Sequence, residues 1–280
     1  MEKKQFISEQ ARRGDRGRAA AAAVLLGGLA FAPGLAHGQA YPERAIRIVV
    51  PFPPGAGTDI VARTIGASLT AAMGQPVVVE NRPGAGGTVG SETVARASKD
   101  GYTILMGNTS TLAIAPSLYR NLPYNPQRDF APVARVSSSE NVIVVHPSLP
   151  ARSLRELIAL AKARPGQILF SSAGSGTTSH LGGALLKSMA AIDIVHVPYK
   201  GSPPSMVDLV AGQVQMSCTS LAAGTPLIKA GKLRALATTG LTRNPILPGV
   251  PTVDESGLQG FEIYVWQGFV VERRPRSSTN

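Results

Sequence analysis

Residues 46–59 read Ile46-Arg47-Ile48-Val49-Val50-Pro51-Phe52-Pro53-Pro54-Gly55-Ala56-Gly57-Thr58-Asp59. Three kinds of local structure follow one another in these fourteen positions. The β-branched run reads as a buried strand. Pro51 ends it, because proline cannot donate to a ladder. Pro53, Pro54, Gly55 and Gly57 make a loop that is first stiff and then permissive. Thr58 and Asp59 are good N-cap residues for a helix beginning at Ile60. A strand, glycine loop and helix start aim free amides and a positive helix end at one point, which suits an anion. No lysine, arginine or histidine lies between Pro51 and Asp59, so amides and hydroxyls would hold the anion.

The plan recurs along the chain. Strands are predicted at 77–79, 102–106, 168–170, 194–197, 214–218 and 233–237. Helices are predicted at 60–73, 89–97, 153–163, 181–189 and 205–211. Ser153 and Glu156 stand at the capping-box spacing. A second glycine loop covers 81–88, and Asn108-Thr109-Ser110 follows the third strand. Ser171-Ser172-Ala173-Gly174-Ser175-Gly176-Thr177-Thr178-Ser179-His180 follows another strand, and Tyr199-Lys200-Gly201-Ser202 a further one. Residues 119–132 are proline-rich and read as irregular surface. Strands alternating with helices indicate an α/β fold with a largely parallel sheet. Ligands in such sheets bind beyond the carboxyl ends of the strands, where these loops fall. The run 133–145 is long enough to leave one sheet and enter another, with a crossing expected near 137–141. Two α/β lobes with loops facing across a cleft are the inferred architecture.

The chain has 280 residues and a formal charge of +11. Residues 1–40 hold six basic and three acidic side chains, which leaves +8 for 41–280. With 5 % aromatics and no basic stripe, nucleic-acid binding is a poor fit. Residues 19–29 are apolar, follow a basic segment and precede Gly38-Gln39-Ala40, so 1–40 reads as a signal peptide cleaved after Ala40, with Ala36 as second choice. Arg12-Arg13 leaves the twin-arginine route open. Cys218 is the only cysteine. It cannot form an internal disulfide and reads as a small buried hydrophobe.

Enzyme signatures are weak. No Gly-x-Ser-x-Gly surrounds Ser172 or Ser175, there is no phosphate-binding Gly-x-x-x-x-Gly-Lys, and the 84–90 glycines miss the dinucleotide spacing. His146, His180 and His196 have no ligand spacing to one another, and no cofactor or metal is expected. His196 reads as a structural strand residue. His180 divides between capping and ligand contact, Asp59 reads as a cap that fixes its loop, and Lys200 as a solvated charge or an anion contact.

Several longer motifs resemble one family. Tyr41-Pro42-Glu43-Arg44, Ile48-Val49-Val50-Pro51-Phe52-Pro53-Pro54-Gly55-Ala56-Gly57-Thr58-Asp59 and Val79-Glu80-Asn81-Arg82-Pro83-Gly84-Ala85-Gly86-Gly87 look like the Bug receptors. These are the substrate-binding proteins of tripartite tricarboxylate transporters. His196-Val197-Pro198-Tyr199-Lys200-Gly201 and Leu247-Pro248-Gly249-Val250-Pro251-Thr252 match the same family. The resemblance runs from about Tyr41 to Val271. It implies a periplasmic, type II periplasmic-binding-protein fold that closes on a small carboxylate and hands it to a membrane permease, as a monomer. By position, one carboxyl group falls to Phe52, Pro53, Gly55, Ala56, Gly57, Thr58 and Asp59, to Asn108, Thr109 and Ser110, and to Ser172, Gly174, Ser175, Gly176, Thr177 and His180. Tyr199, Lys200, Gly201 and Ser202 fall near the open end of the ligand. The lobes are expected at 41–139 and 140–236, with a return to the first over 237–271.

The family pattern continues past Val271 with a turn and several dozen mostly helical residues. Here Glu272-Arg273-Arg274-Pro275-Arg276-Ser277-Ser278-Thr279-Asn280 follows and reads as disordered. A truncated or frameshifted product of reduced stability is the expectation. Two other functions stay open from the residues alone: a secreted hydrolase using Ser172 or Ser175 with His180, and a ligand-sensing module that addresses a membrane sensor.

Overall fold

The computed structural model describes residues 41–273. The expected leader at 1–40 and residues 274–280 of the expected tail lie outside the described residues.

Strand β1 (Ile46–Val50) shows why the β-branched run folds as it does. Ile46, Ile48 and Val50 face one apolar cluster, and Val49 faces another on the opposite side of the sheet. Side chains alternate across a strand, so a run apolar at every second position and at Val49 is covered on both faces. It pairs in parallel with β2 (Val77–Asn81) on one side and β3 (Thr103–Asn108) on the other. Helix α1 (Gly57–Met73) packs Ala62 into the first cluster, and α2 (Thr88–Ala95) packs Val94 into the second. Gly74, in the left-handed conformation, closes α1.

Strand β4 (Phe130–Val145) spans sixteen residues and joins two sheets. Its first part, through Glu140, pairs antiparallel with β9 (Tyr264–Glu272), which itself lies antiparallel to β3. From Asn141 onward it pairs instead with β7 (Met216–Ser220) and β8 (Arg234–Thr238). The second sheet continues in parallel from β7 to β5 (Ile168–Ser172) and β6 (Ile194–Pro198). Helices α3 (Leu154–Ala163) and α4 (Thr178–Met189) cover one of its faces through Leu154, Leu157 and Leu186. Helices α5 (Ser202–Val210) and α6 (Leu221–Lys229) cover the other through Met206, Leu209 and Leu221. Both sheets are mixed, not largely parallel. Ser153 caps α3 as expected, accepting from the Glu156 amide at 3.2 Å, while Glu156 reaches back to the Arg152 amide at 2.6 Å.

Several sequence expectations need correction. Helix α1 begins at Gly57 with Ala56 at the N-cap position, so Thr58 and Asp59 lie inside its first turn. The 119–132 segment holds a helical turn at Pro126–Asp129, capped by Asn125, and the start of β4. Strand β8 does not take the chain back to the first lobe. Val253 and Phe261 still lie in the core of the second, and the return comes at Tyr264. Glu272 is not tail: it closes β9 opposite Phe130, and the Arg273 amide donates to Asp129 O. Cys218 is buried in the second lobe's core, as its reading required, and burial pushes its thiol up to about 12. No helix among the described residues is long and apolar enough to cross a membrane.

Candidate functional site

Four helices start at one place. The N-terminal residues of α1 (Ala56, Gly57, Thr58), α4 (Thr177, Thr178, Ser179), α5 (Ser202) and α6 (Ser220) line a cavity of about 60 Å³ between the two sheets. Phe52, Asn108, Ser110, Asn141, Ala173, Thr219, Val265 and Gln267 complete its wall, and no charged side chain contributes to it. First-turn amides have no partner within their own helix, and each helix start carries partial positive charge. Asp59 in the first turn of α1 offsets part of that helix's charge and the two prolines of α5 withhold their amides, but no carboxylate lines the cavity, which leaves a positive, neutral-lined cradle. Asn141 Nδ2, Thr219 Oγ1 and Gln267 Oε1 are buried in that wall without a hydrogen-bond partner. Buried polar groups are seldom left unpaired; Asn141 Nδ2 and Thr219 Oγ1 are donors that an anion would satisfy, whereas Gln267 Oε1 can only accept.

The loop after β1 is held by Asp59 from below. Its carboxylate accepts from the Gly55 amide at 2.9 Å, Arg63 Nε at 3.0 Å and Asn81 Nδ2 at 2.8 Å. Asn81 also donates to Phe52 O at 3.0 Å. Burial alone would push the Asp59 carboxyl up, but the bonds from Arg63, Gly55 and Asn81 together hold it below the usual range. Asp59 therefore fixes the loop without touching the cavity. In the loop after β3, Asn108 Oδ1 accepts from the Thr111 amide, and its Nδ2 reaches Thr58 Oγ1 at 3.4 Å. Thr109 points away and accepts from the Trp266 amide at 3.0 Å. Ser110 Oγ crosses the cleft and accepts from the Thr178 amide at 3.2 Å.

The loop after β5 is bonded to itself. Thr177 Oγ1 donates to Gly174 O at 2.6 Å, Ser179 Oγ accepts from the Ala173 amide at 2.9 Å, and Ser172 Oγ accepts from the Gly174 amide at 3.1 Å. Gly174 and Gly176 take positive φ of 127° and 77°, which side chains at those positions would resist. Ser172 is fully buried, and its Oγ lies 2.7 Å from His196 Nε2. The His196 ring stacks on His180 at 4.1 Å and on Phe170 at 4.7 Å. Burial lowers the affinity of both imidazoles for a proton, and neighbouring His180 adds to this at His196, which falls to about 4. His180 Nδ1 accepts from the Gly176 amide at 3.2 Å. The histidine pair thus braces the loop from behind. The pairing of Ser172 or Ser175 with His180 that the alternative hydrolase reading needs is not formed, and no carboxylate among the described residues bonds either ring.

A second cavity of about 280 Å³ adjoins the first and shares Phe52 and Ala173 with it. Pro53, Gly174, Ser175, Tyr199, Lys200 and Gly201 line it, with residues 83–87 and Tyr119 opposite. So Phe52, Ala56, Gly57, Thr58, Asn108, Ser110, Thr177 and Ser202 come together at the inner cavity, and Pro53, Gly174, Ser175, Tyr199, Lys200 and Gly201 at the outer one. Gly55, Asp59, Thr109, Ser172, Gly176 and His180 line neither and act in support. The sequence reading missed Asn141, Thr219, Ser220 and Gln267. Asn141 sits where β4 changes sheets, Thr219 and Ser220 end β7 as a strand–hydroxyl–helix turn, and Gln267 lies on the unrecognised β9.

Comparison with known proteins agrees with this geometry. The model of the tripartite tricarboxylate transporter family receptor matches residues 61–277. Protein BugT of Bordetella pertussis is 41 % identical over 227 residues, covering 81 % of this chain and 70 % of BugT. The periplasmic binding protein BugD is 40 % identical with a TM-score of 0.81, covering 84 % of this chain and 79 % of BugD. Rpa4515 of R. palustris, solved with adipate, is 38 % identical with a TM-score of 0.82, over 83 % of this chain and 78 % of its own. The fold is the two-lobed α/β fold of periplasmic binding proteins, with the ligand cleft between the lobes. With a family model covering most of its length and helix starts gathered at that cleft, the chain belongs to the Bug-type receptors of the tripartite tricarboxylate transporter family.

Proposed function

We propose that this protein is a periplasmic receptor that captures a small carboxylate between its lobes and delivers it to a membrane permease of the tripartite tricarboxylate type. The observation that carries this is the convergence of four helix N-termini on an uncharged cavity that holds two unpartnered buried donors, Asn141 Nδ2 and Thr219 Oγ1. Such a site binds an anion by amides and hydroxyls, each contributing about 1.5–3 kcal/mol net when the acceptor is charged. The adipate bound to Rpa4515 is an acid of the same class. The ligand-binding set is the loops 52–59, 108–110 and 172–180, together with 199–202, Asn141, Thr219, Ser220 and Gln267. Within it Asp59, Thr109, Ser172 and His180 hold the others in place. The lobes divide near 139/140 and again near 263/264, and strand β4 with the segment that enters β9 forms the hinge.

Binding without chemistry is the reading the cleft favours. Ser172 is sealed from solvent and its imidazole neighbour lacks an orienting acid, so nothing here activates a nucleophile. A thermal-shift and calorimetric screen of residues 41–280 against a panel from acetate to citrate tests this. A ligand bound only by the folded state raises stability by about 2.7 kcal/mol at a hundredfold excess over its Kd. Asn141→Asp places a negative charge among the helix starts and is expected to abolish that shift while the apo protein still melts cooperatively. A panel without any response, or a response that Asn141→Asp leaves intact, would overturn the site.

A further inference from the structure

We infer that the first lobe carries a docking groove for an acidic, extended segment of a partner protein, outside the ligand cleft and independent of what the cleft binds. Two cavities adjoin on this lobe, sharing Leu112, Pro126 and Gln127. One, of about 700 Å³, is built from residues 112–128 and abuts the outer cavity of the cleft at Tyr119. The other, of about 400 Å³, follows β4 and β9, and Phe130, Ala134, Trp266 and Val270 give it an apolar wall. The charge of this groove is one-sided. Arg120 and Arg128 line its first part, Arg135 and Arg273 its second, and no aspartate, glutamate or lysine lines either. Arg128 is neutralised by Asp129 at 2.7 Å, and Arg273 Nε donates to Phe130 O at 3.1 Å. Arg120 and Arg135 are exposed, and no carboxylate among the described residues pairs with either guanidinium. Arg274 and Arg276 follow in the sequence, and no acidic side chain does. A guanidinium fork takes a carboxylate by two parallel bonds, so spaced arginines complement spaced acidic side chains. The apolar wall between them suits apolar side chains that alternate with the acids along an extended segment. Pro132 and two register shifts interrupt β4 along this stretch, so the occupant lies in the groove and does not join the sheet as a further strand. A flat anionic bilayer does not follow a concave groove, and a second copy of this chain brings the same excess of positive charge.

Trp266 is the only tryptophan of the chain and lines this groove, so its fluorescence reports occupancy. The probes are a short blocked peptide alternating glutamate with leucine, the same peptide with glutamine in place of glutamate, and phosphatidylcholine vesicles containing phosphatidylglycerol. The glutamate peptide is expected to shift the Trp266 emission and to bind about tenfold tighter than the glutamine peptide at low salt, a preference that shrinks as salt rises. Arg120→Gln combined with Arg135→Gln is expected to lose about tenfold for the glutamate peptide, to stay within about twofold for the glutamine peptide, and to keep the apo melting temperature. Equal binding of the two peptides, binding of neither, or a double variant that holds the glutamate peptide as the wild type does would overturn the inference. Peptide binding that leaves Trp266 emission unchanged would place the peptide elsewhere and overturn it too. Vesicles that bind through the two arginines while the peptide does not would assign them to a membrane surface, and a dimer that the double variant dissolves would assign them to a second copy; either result removes the acidic partner. A silent carboxylate panel bears on the cleft alone.

Discussion

Asp59 shows how much of this site depends on a residue that lines neither cavity. It gathers one backbone amide and two side chains from three segments, at 2.8–3.0 Å. Asp59→Ala leaves the Gly55 amide without its acceptor and Asn81 with only Phe52 O, and is expected to cost about 1–3 kcal/mol in urea unfolding. Ligand affinity should fall with it, because the loop after β1 loosens. Two neighbours set the acid response. His196 is neutral in the fold with its pKa lowered to about 4, against an ordinary value of 6.5. As pH falls from 6.5, the unfolded chain takes up this proton and the folded one does not, so stability declines across the window 6.5 to 4 and levels off below it. His180 shifts in the same direction, and the depressed Asp59 carboxyl extends the loss below 3.8. A melting-temperature profile from pH 7 to 4 should slope downward, with a shallower slope in His196→Gln. A flat wild-type profile would contradict the buried imidazole stack. None of this was legible locally: His180 and His196 are sixteen residues apart, and only the packing of α4 on β5 and β6 stacks them.

At the scale of elements, the strand–loop–helix plan was plain in the residues, and boundaries were not. Thr58 and Asp59 are strong cap types, yet α1 starts before them because Asp59 is drawn to Gly55 and Asn81 instead. Helix α6 was overlooked because Leu-Ala-Ala-Gly-Thr-Pro carries both a glycine and a proline, and tertiary packing of Leu221 overrides that poor propensity. The β-branched and aromatic residues of β9 suit a strand, but its place between β3 and β4 depends on partners remote in the chain. Close packing between elements gives a sharp test. A Cβ at Gly183 of α4 would lie 2.2 Å from Phe170 Cε2 on β5. Gly183→Ala therefore overpacks the second lobe and is expected to destabilise it by about 1–3 kcal/mol, although alanine favours helix. Denaturation showing a gain instead would mean that α4 can slide on its sheet.

In the whole molecule the two lobes touch across the cleft, as in the bond from the Thr178 amide to Ser110 Oγ. Gly57, at the start of α1, comes so close to α6 that a Cβ would lie 2.8 Å from Ser220 Oγ. Gly86 meets Ser175 O in the same way. These glycines let the lobes approach until the helix starts converge. Gly57→Ala keeps a helix-compatible residue within one lobe and obstructs only the contact between lobes. It is expected to leave apo stability nearly unchanged and to weaken carboxylate binding at least tenfold. Small-angle scattering should show the wild type contracting on ligand addition and the variant remaining expanded. Contraction of both would show that Ser220 yields and that closure tolerates the methyl group.

The sequence by itself determined the α/β class, the loops after the strands, and the absence of cations from the inner grip, because these follow from local periodicity, turn chemistry and composition. The motifs 48–59, 79–87 and 196–201 carried the family. Only the tertiary structure decided which loop residues line the cavities and which hold the loop. Gly55, Asp59, Thr109, Ser172 and His180 share their loops with cavity-lining neighbours, and their roles depend on partners distant in the chain. It also supplied Asn141, Thr219, Ser220 and Gln267, since a cleft between two sheets is assembled from strand ends that no local signal relates to one another.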